Sequence, residues 1–256
     1  DLEHAQTLVI VGKNPWQSNG FQRARILMRQ VSKDPQRTLI VIDPKRTETA
    51  ELADIHLAVR PGRDAWALSA MIAHIVQAGL LPLDWLAEHA NGLEAVNERF
   101  AAIDVAAYCE FAGLRPADVI AAAEAVAKAE TAALYEDIGL QMAPNSTLGS
   151  YLNLLLMAIT GNFGRPGTMA FTSNLPGRFF GKSDQGVVGE DGFETGWRMS
   201  PVTNSRIVGG LVPCNDVPAA ILTDHPDRYR AMFIESGNPA HSMADSHSWR
   251  AALRAL

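Results

Sequence analysis

The sequence predicts an α/β fold: a doubly wound, mostly parallel sheet, followed by a second α/β half with long irregular connections. Two observations predict it. Three short apolar runs, Leu8-Val9-Ile10-Val11, Leu39-Ile40-Val41-Ile42 and Ile55-His56-Leu57-Ala58-Val59, are each closed by Gly, Pro or Asp. Segments of helical length alternate with them. A run that is apolar at every position is buried on both faces, which suits a parallel strand between two helical layers. The βαβαβα order that results is the Rossmann-like or flavodoxin-like arrangement.

Each element has a local reason. After the first run, Gly12-Lys13-Asn14-Pro15 makes a turn, and a helix is expected from Asn19 to Val31. The second run ends in Asp43-Pro44, and a short helix follows over 49–53. Pro61-Gly62 closes the third run. Asp64 then stands where it can cap a helix over 65–78, with Gly79 as its stop. Residues 82–128 read as amphipathic helices, the last of them Ala-rich from Pro116. Ala132-Ala133-Leu134-Tyr135 can open a new sheet, and 147–160 reads as a buried helix. Residues 161–216 are rich in Gly, Pro, Asn and Ser, and parts of them are expected to be mobile. A short helix over 217–222, a last strand at Met232-Phe233-Ile234-Glu235 and a terminal helix complete the pattern. The change of character near Ala129 suggests two domains: 1–128, a nucleotide-binding α/β domain, and 129–256, part of a second one.

Composition narrows the function. With 47% apolar and 20% charged residues over 256 positions, the chain can bury a core. Its net charge of −6 argues against a nucleic-acid partner, which a basic face would announce. No apolar run approaches the ~20 residues that span a bilayer, so no direct membrane insertion is expected. The two cysteines, Cys109 and Cys214, lack metal-site spacing and read as small buried apolar residues. The seven histidines show no metal spacing either, and His74, within an apolar helix, reads as a core or boundary residue. The chain starts at Asp1 and stops inside a helical pattern, which reads as a piece of a longer polypeptide.

The strongest motif is a faint repeat. Residues 8–18 read LVIVGKNPWQS and residues 232–242 read MFIESGNPAHS. Both join an apolar run to a glycine, Asn-Pro, two residues and Ser. Gly12, Asn14, Pro15 and Ser18 thus match Ser236-Gly237, Asn238, Pro239 and Ser242 in kind. Such a turn at the carboxyl edge of a parallel sheet offers backbone N–H groups and positive potential to a phosphate. Two copies suggest two nucleotide sites. Asp43, at the end of the second run, can take ribose hydroxyls or simply shape a turn before Pro44. Lys45 and Arg46, with Thr47 after them, can neutralise phosphates or form a solvated face. Asp64, after Gly62, can cap its helix or pair with the N1–H and 2-amino group of guanine.

The run over 39–64, LIVIDPKRTETAELADIHLAVRPGRD, resembles the DPRxTETA…AD…RPGTDxAL signature of molybdopterin oxidoreductases of the dimethyl-sulfoxide-reductase-like family, which includes formate dehydrogenases and thiosulfate reductases. The resemblance extends through GKNP, the GNFGRPG turn over 161–167 and SGNP at 236–239. It implies two molybdopterin guanine dinucleotides holding molybdenum or tungsten, with an iron–sulfur cluster outside this segment. Gly12, Asn14 and Asp43 would hold one dinucleotide, with Asp64 near its guanine. Gly237, Asn238 and Ser242 would contact the other, and Gly164 and Gly167 would shape the cleft wall. The implied partners are the remaining domains of the chain and an iron–sulfur electron-transfer subunit. Members occur in cytoplasm and periplasm, and a cytoplasmic place is the expectation. Two departures stand out: Lys45 where the family has Arg, and Arg63 where it has Thr. The metal ligand of the family has no counterpart here, so the segment alone is expected to be inactive. The rival reading is a non-catalytic relative such as the iron–sulfur scaffold subunit of NADH dehydrogenase; another is a generic nucleotide-binding module.

Overall fold

A computed structural model describes residues 2–169, 187–188, 194–195, 198–207 and 211–256. The chain divides into two compact units, Asp1–Thr172 and Ser173–Leu256. The first is a four-stranded sheet in the order β3-β2-β1-β4, formed by β1 (Thr7–Val11), β2 (Thr38–Ile42), β3 (Ile55–Leu57) and β4 (Ala132–Glu136). Every pairing is parallel, and β1 sits between β2 and β4 in unbroken register. Ala129, where the sequence suggests a boundary, lies inside this unit, because β4 completes the first sheet beside β1 rather than opening a new one.

Side-chain alternation explains the two layers. Val9, Val11, Ile40, Ile42 and Leu57 point to one face and meet α3 (Asp64–Gln77), α6 (Val105–Ala112), α7 (Pro116–Ala127) and α9 (Ser146–Ile159). Leu8, Ile10, Leu39 and Val41 point to the other, against Leu27, Met28 and Val31 of α2 (Ala24–Val31). Burial of each such side chain stabilises the fold by about 1.5–3 kcal/mol. The strand period of two therefore builds both cores at once. Helices α4 (Leu83–His89) and α5 (Leu93–Ala101) complete the α3 side, and a single turn, α8 (Ile138–Gln141), follows β4.

Several expectations are corrected. The helix expected from Asn19 is instead a single turn, α1 (Pro15–Ser18), followed by α2 from Ala24. Asn19 and Gly20 have φ of 57° and 87°, left-handed values that break a helix between them. The segment over 49–53 is a 3-10 turn, Ala50–Leu52. Asp64 is the first residue of α3, while Arg63 holds the capping position without a side-chain bond. Gly79 does stop that helix, at φ +67°. Cys109 is buried as expected, and burial pushes its thiol pKa up; Cys214 is exposed, since it follows a loop proline rather than lying in a core element.

In the second unit, α10 (Val217–Leu222) packs on α12 (Ser246–Arg254) through Ala220, Ile221, Trp249 and Ala252. A single turn, α11 (Pro239–Ser242), precedes α12. A short antiparallel pair joins β5 (Val187–Val188) and β6 (Glu194–Thr195). The strand expected at 232–235 does not form among the described residues. Its Phe233 is 88% exposed, because no neighbouring strand supplies ladder partners. The mobility expected over 161–216 lies in large part outside the described residues.

Candidate functional site

The carboxyl edge of the sheet carries the site. β1 leads to β2 on one side, while β4 lies on the other, so the order in which strands are added reverses between β1 and β4. Ligands of open α/β sheets bind outside the strand ends at such a point. Here the chain closes the floor of that crevice itself. Gly12 has φ +59°, and a Cβ there would lie 2.4 Å from the Leu140 nitrogen. A Cβ on Gly139 would lie 2.5 Å from the Gly12 oxygen. The two glycines let the β1 and β4 turns touch backbone to backbone, joined by the Gly139 N–H to Gly12 oxygen bond at 2.9 Å. A Lys13–Asp137 ion pair locks the same junction, and the hydrogen bond from Lys13 holds the Asp137 carboxyl below the usual carboxylate range.

The Asn-Pro turn is tied to the turn after β2. Asn14 donates through Nδ2 to Glu48 Oε2 at 2.8 Å and accepts at Oδ1 from the Thr49 hydroxyl at 2.7 Å. Thr49 is fully buried, and its oxygen also accepts from the Trp16 backbone N–H at 3.2 Å. Glu48 is held below its ordinary pKa by its own backbone N–H first, then by Asn14. Pro15 is buried at the first position of α1, where its missing N–H costs nothing. Ser18 donates to the Asn14 carbonyl at 2.9 Å.

Asp43 accepts from the Lys45 N–H at 2.9 Å, and His56 Nε2 meets the Asp43 carbonyl at 2.9 Å. Asp64 is 6% exposed. Burial raises its carboxyl pKa, its own backbone N–H opposes that, and the Asp43 charge raises it further. The two carboxylates thus sense each other, Asp43 just beyond β2 and Asp64 at the start of α3. Thr47 is spent locally, accepting the Ala50 N–H at 3.2 Å, and Arg46 is exposed. Gly62, at φ +75°, packs against Pro144.

Gly164 and Gly167 are not brought to this cluster. Gly167 abuts the His4 carbonyl and Thr131, which precede β1 and β4, so the turn sits at the amino edge of the sheet. In the second unit, Asn238 repeats the Asn14 backbone, with φ −130° and ψ 83° against −113° and 82°. Ser242 donates to the Asn238 carbonyl at 2.9 Å, as Ser18 does to Asn14. Gly237 is open, and the Asn238 side chain has no hydrogen-bond partner among the described residues. Among the described residues, no group of three or more His, Cys, Asp or Glu could hold a metal, and no helix is long and apolar enough to cross a membrane.

Sequence reading missed Lys13, Glu48, Thr49, Asp137 and Gly139, although GKNP and TET had placed three of them beside the motif. It also missed Glu136, at the end of β4, which accepts from Ser150 and from the buried Asn153, each at 2.5 Å.

An open parallel sheet with a proline-started turn and two carboxylates at its carboxyl edge defines the class of the protein as open-sheet α/β. No protein-family model matches the chain. It is 24% identical over its whole length to the F420-dependent formate dehydrogenase 1 subunit alpha of Methanococcus maripaludis, covering 38% of that protein. It is also 24% identical over its whole length to the assimilatory nitrate reductase catalytic subunit of Bacillus subtilis, covering 37% of it. Acetylene hydratase from Pelobacter acetylenicus superposes with a TM-score of 0.60 and 25% identity, over 72% of this chain and 24% of that one. These similarities bear out the resemblance to molybdopterin oxidoreductases that the sequence motifs carry. It spans less than two fifths of the relatives' length.

Proposed function

We propose that the chain is the central cofactor-binding region of a bis-molybdopterin guanine dinucleotide oxidoreductase. The observation that carries the reading is the pair of Asn-Pro turns at 14–18 and 238–242, alike in backbone angles and in the Ser-to-Asn bond. Two like turns suit two like dinucleotides. The donor and acceptor set also fits. The Asp43 and Asp64 carboxylates offer acceptors to ribose hydroxyls and to the N–H edge of a guanine, and ionised Asp64 is relieved by such donors. Lys45 and Arg46 stand within the same turn to offset phosphate charge.

When bound, the metal–pterin group supplies two-electron redox chemistry, and the protein supplies position and electrostatics. On this reading Gly12, Asn14, Pro15 and Ser18 shape one cradle, and Gly237, Asn238 and Ser242 the other. The whole protein's substrate is a small molecule of the formate or nitrogen and sulfur oxyanion class. Electrons leave through an iron–sulfur cluster, then an iron–sulfur partner subunit. The chain by itself is inactive. Gly164 and Gly167 brace the fold from the amino edge rather than touching cofactor.

The test is elemental analysis of the full-length protein with identification of the nucleotide released by mild acid. One molybdenum or tungsten with about two GMP per chain supports the reading. Neither metal nor GMP, from a matured preparation, transfers the chain to the non-catalytic scaffold class.

A further inference from the structure

The outer face of α2 gathers positive charge that the fold does not require. Residues 4–33 contain Lys13, Arg23, Arg25, Arg29 and Lys33 and no acid, within a chain of net charge −6. Two features here oppose helix stability. Arg23 occupies the capping position in a left-handed conformation, at φ 58°, with no side-chain cap bond. A cation there faces the positive end of the helix dipole. Arg25 and Arg29 are like charges four apart, which repel on a helix. Charge kept against local stability is the mark of a functional surface.

The geometry gives that surface a form. Arg29 lies 4.8 Å and Arg25 5.9 Å from the Trp16 ring centroid, so one indole orients two guanidinium groups. Stacking leaves the in-plane N–H donors of a guanidinium available. Arg25 is anchored further by its bond to the Trp16 carbonyl. Ile26 sits among these cations and is 50% exposed. A hollow of about 440 Å³ lies on one side of it, lined also by Arg29, Lys33 and Asp34. Another of about 450 Å³ lies on the other side, with Phe21, Arg23 and Arg25. Three acids lie nearby: Glu3 reaches Arg23 at 3.3 Å, Glu48 feels the charge of Arg25, and Asp34 closes the far end. Among the described residues Arg25, Arg29 and Lys33 form no ion pair.

We infer that the outer face of α2 docks a partner protein through an acidic segment that presents an apolar side chain among its carboxylates. Charge complementarity sets the partner's sign, and exposed Ile26 between two hollows sets the need for an apolar anchor. This inference is independent of the cofactor reading.

The test uses the full-length protein and a fluorescent peptide of twelve residues, glutamates around one central leucine. Two sibling peptides replace every glutamate with glutamine, or the leucine with serine. Anisotropy is read at low and at physiological salt. The glutamate peptide is expected to bind, about tenfold more weakly at the higher salt. The glutamine peptide is expected not to bind, and the serine peptide to bind several-fold more weakly. Arg25→Glu and Lys33→Glu should each weaken binding several-fold, Lys33→Glu with the thermal midpoint unchanged, while Arg254→Glu leaves binding unchanged. The Lys33 side chain has no hydrogen-bond or ion-pair partner among the described residues, so its variant keeps the fold. Equal binding of the glutamine peptide, or affinity indifferent to both α2 variants, overturns the inference. Self-association that disappears with Arg25→Glu also overturns it and assigns the face to a second copy of the protein.

Discussion

The buried Thr49 hydroxyl donates to Asn14 Oδ1 at 2.7 Å, so the turn after β1 takes its shape from the turn after β2. The two residues are 35 positions apart. One threonine oxygen serves both as donor to Asn14 and as acceptor from the Trp16 N–H. The two loops at the mouth of the candidate site therefore hold one another, and a ligand bound there would not need to order them.

Thr49→Val tests that coupling. Valine keeps the shape but leaves Asn14 Oδ1 and the Trp16 N–H without their partner. The expected cost is about 1–3 kcal/mol, the penalty of buried polar groups left unmade. Urea unfolding reads it, and an unchanged midpoint would show that water replaces the hydroxyl.

Gly139→Ala probes the floor of the crevice. Its Cβ would stand 2.5 Å from the Gly12 oxygen and 2.6 Å from the Gly12 Cα, both rigid backbone atoms. No side chain can move aside, so the β1 and β4 turns must part. Destabilisation of about 2–3 kcal/mol is expected, at the upper end for overpacking. Calorimetry checks it; a loss under about 0.5 kcal/mol, the range of neutral surface changes, would mean that the junction is loose.

What could be read from sequence divides along the range of the interactions. Strands β1, β2 and β4 were legible because apolar runs such as Leu8-Val9-Ile10-Val11 declare burial locally. The turn at Gly12-Lys13-Asn14-Pro15 was legible because glycine and proline punctuate the chain locally, whereas the helical turn that Pro15 starts was not. The same local signal misled at 232–235, where an apolar run resembles β1 but lacks neighbours among the described residues. The Lys13–Asp137 and Gly12–Gly139 contacts join residues over 120 apart, and no local pattern announces them. The Glu48 and Thr49 roles belong to the same class. Asp64 showed a third limit: a carboxylate at a helix start suggested a cap, but its backbone lies one position inside the helix.

Asp64 carries a pH signature. Its folded pKa is raised, chiefly by burial and further by Asp43. A raised carboxyl pKa means that the folded state binds the proton more tightly than the unfolded state. The stabilising contribution is thus full below the unfolded pKa and is lost as pH rises through the folded one. Asp64→Asn removes this loss. The variant should unfold at a higher temperature than the parent at neutral pH, and the advantage should vanish in acid, below the ordinary carboxylate range. Its affinity for GMP should fall, because an amide presents one acceptor where the carboxylate presents two. Scanning calorimetry against pH settles the first part; a variant less stable at neutral pH contradicts it.

The two asparagines of the repeat separate folding from function. Asn14 is committed on both sides, to Glu48 and to Thr49, whereas Asn238 has no side-chain partner among the described residues. Asn14→Ala should therefore destabilise its unit by about 1–2 kcal/mol, two hydrogen bonds' net worth. Asn238→Ala should fall within about 0.5 kcal/mol of the parent, as exposed substitutions do. If both turns cradle dinucleotides, both variants of the full-length protein should nonetheless release less GMP on acid treatment than the parent. Stability is read by urea unfolding and GMP by chromatography on the same preparations. A normal GMP yield from Asn238→Ala would leave the second turn a structural echo of the first. A yield cut to about one per chain, with stability intact, would assign that turn its own dinucleotide.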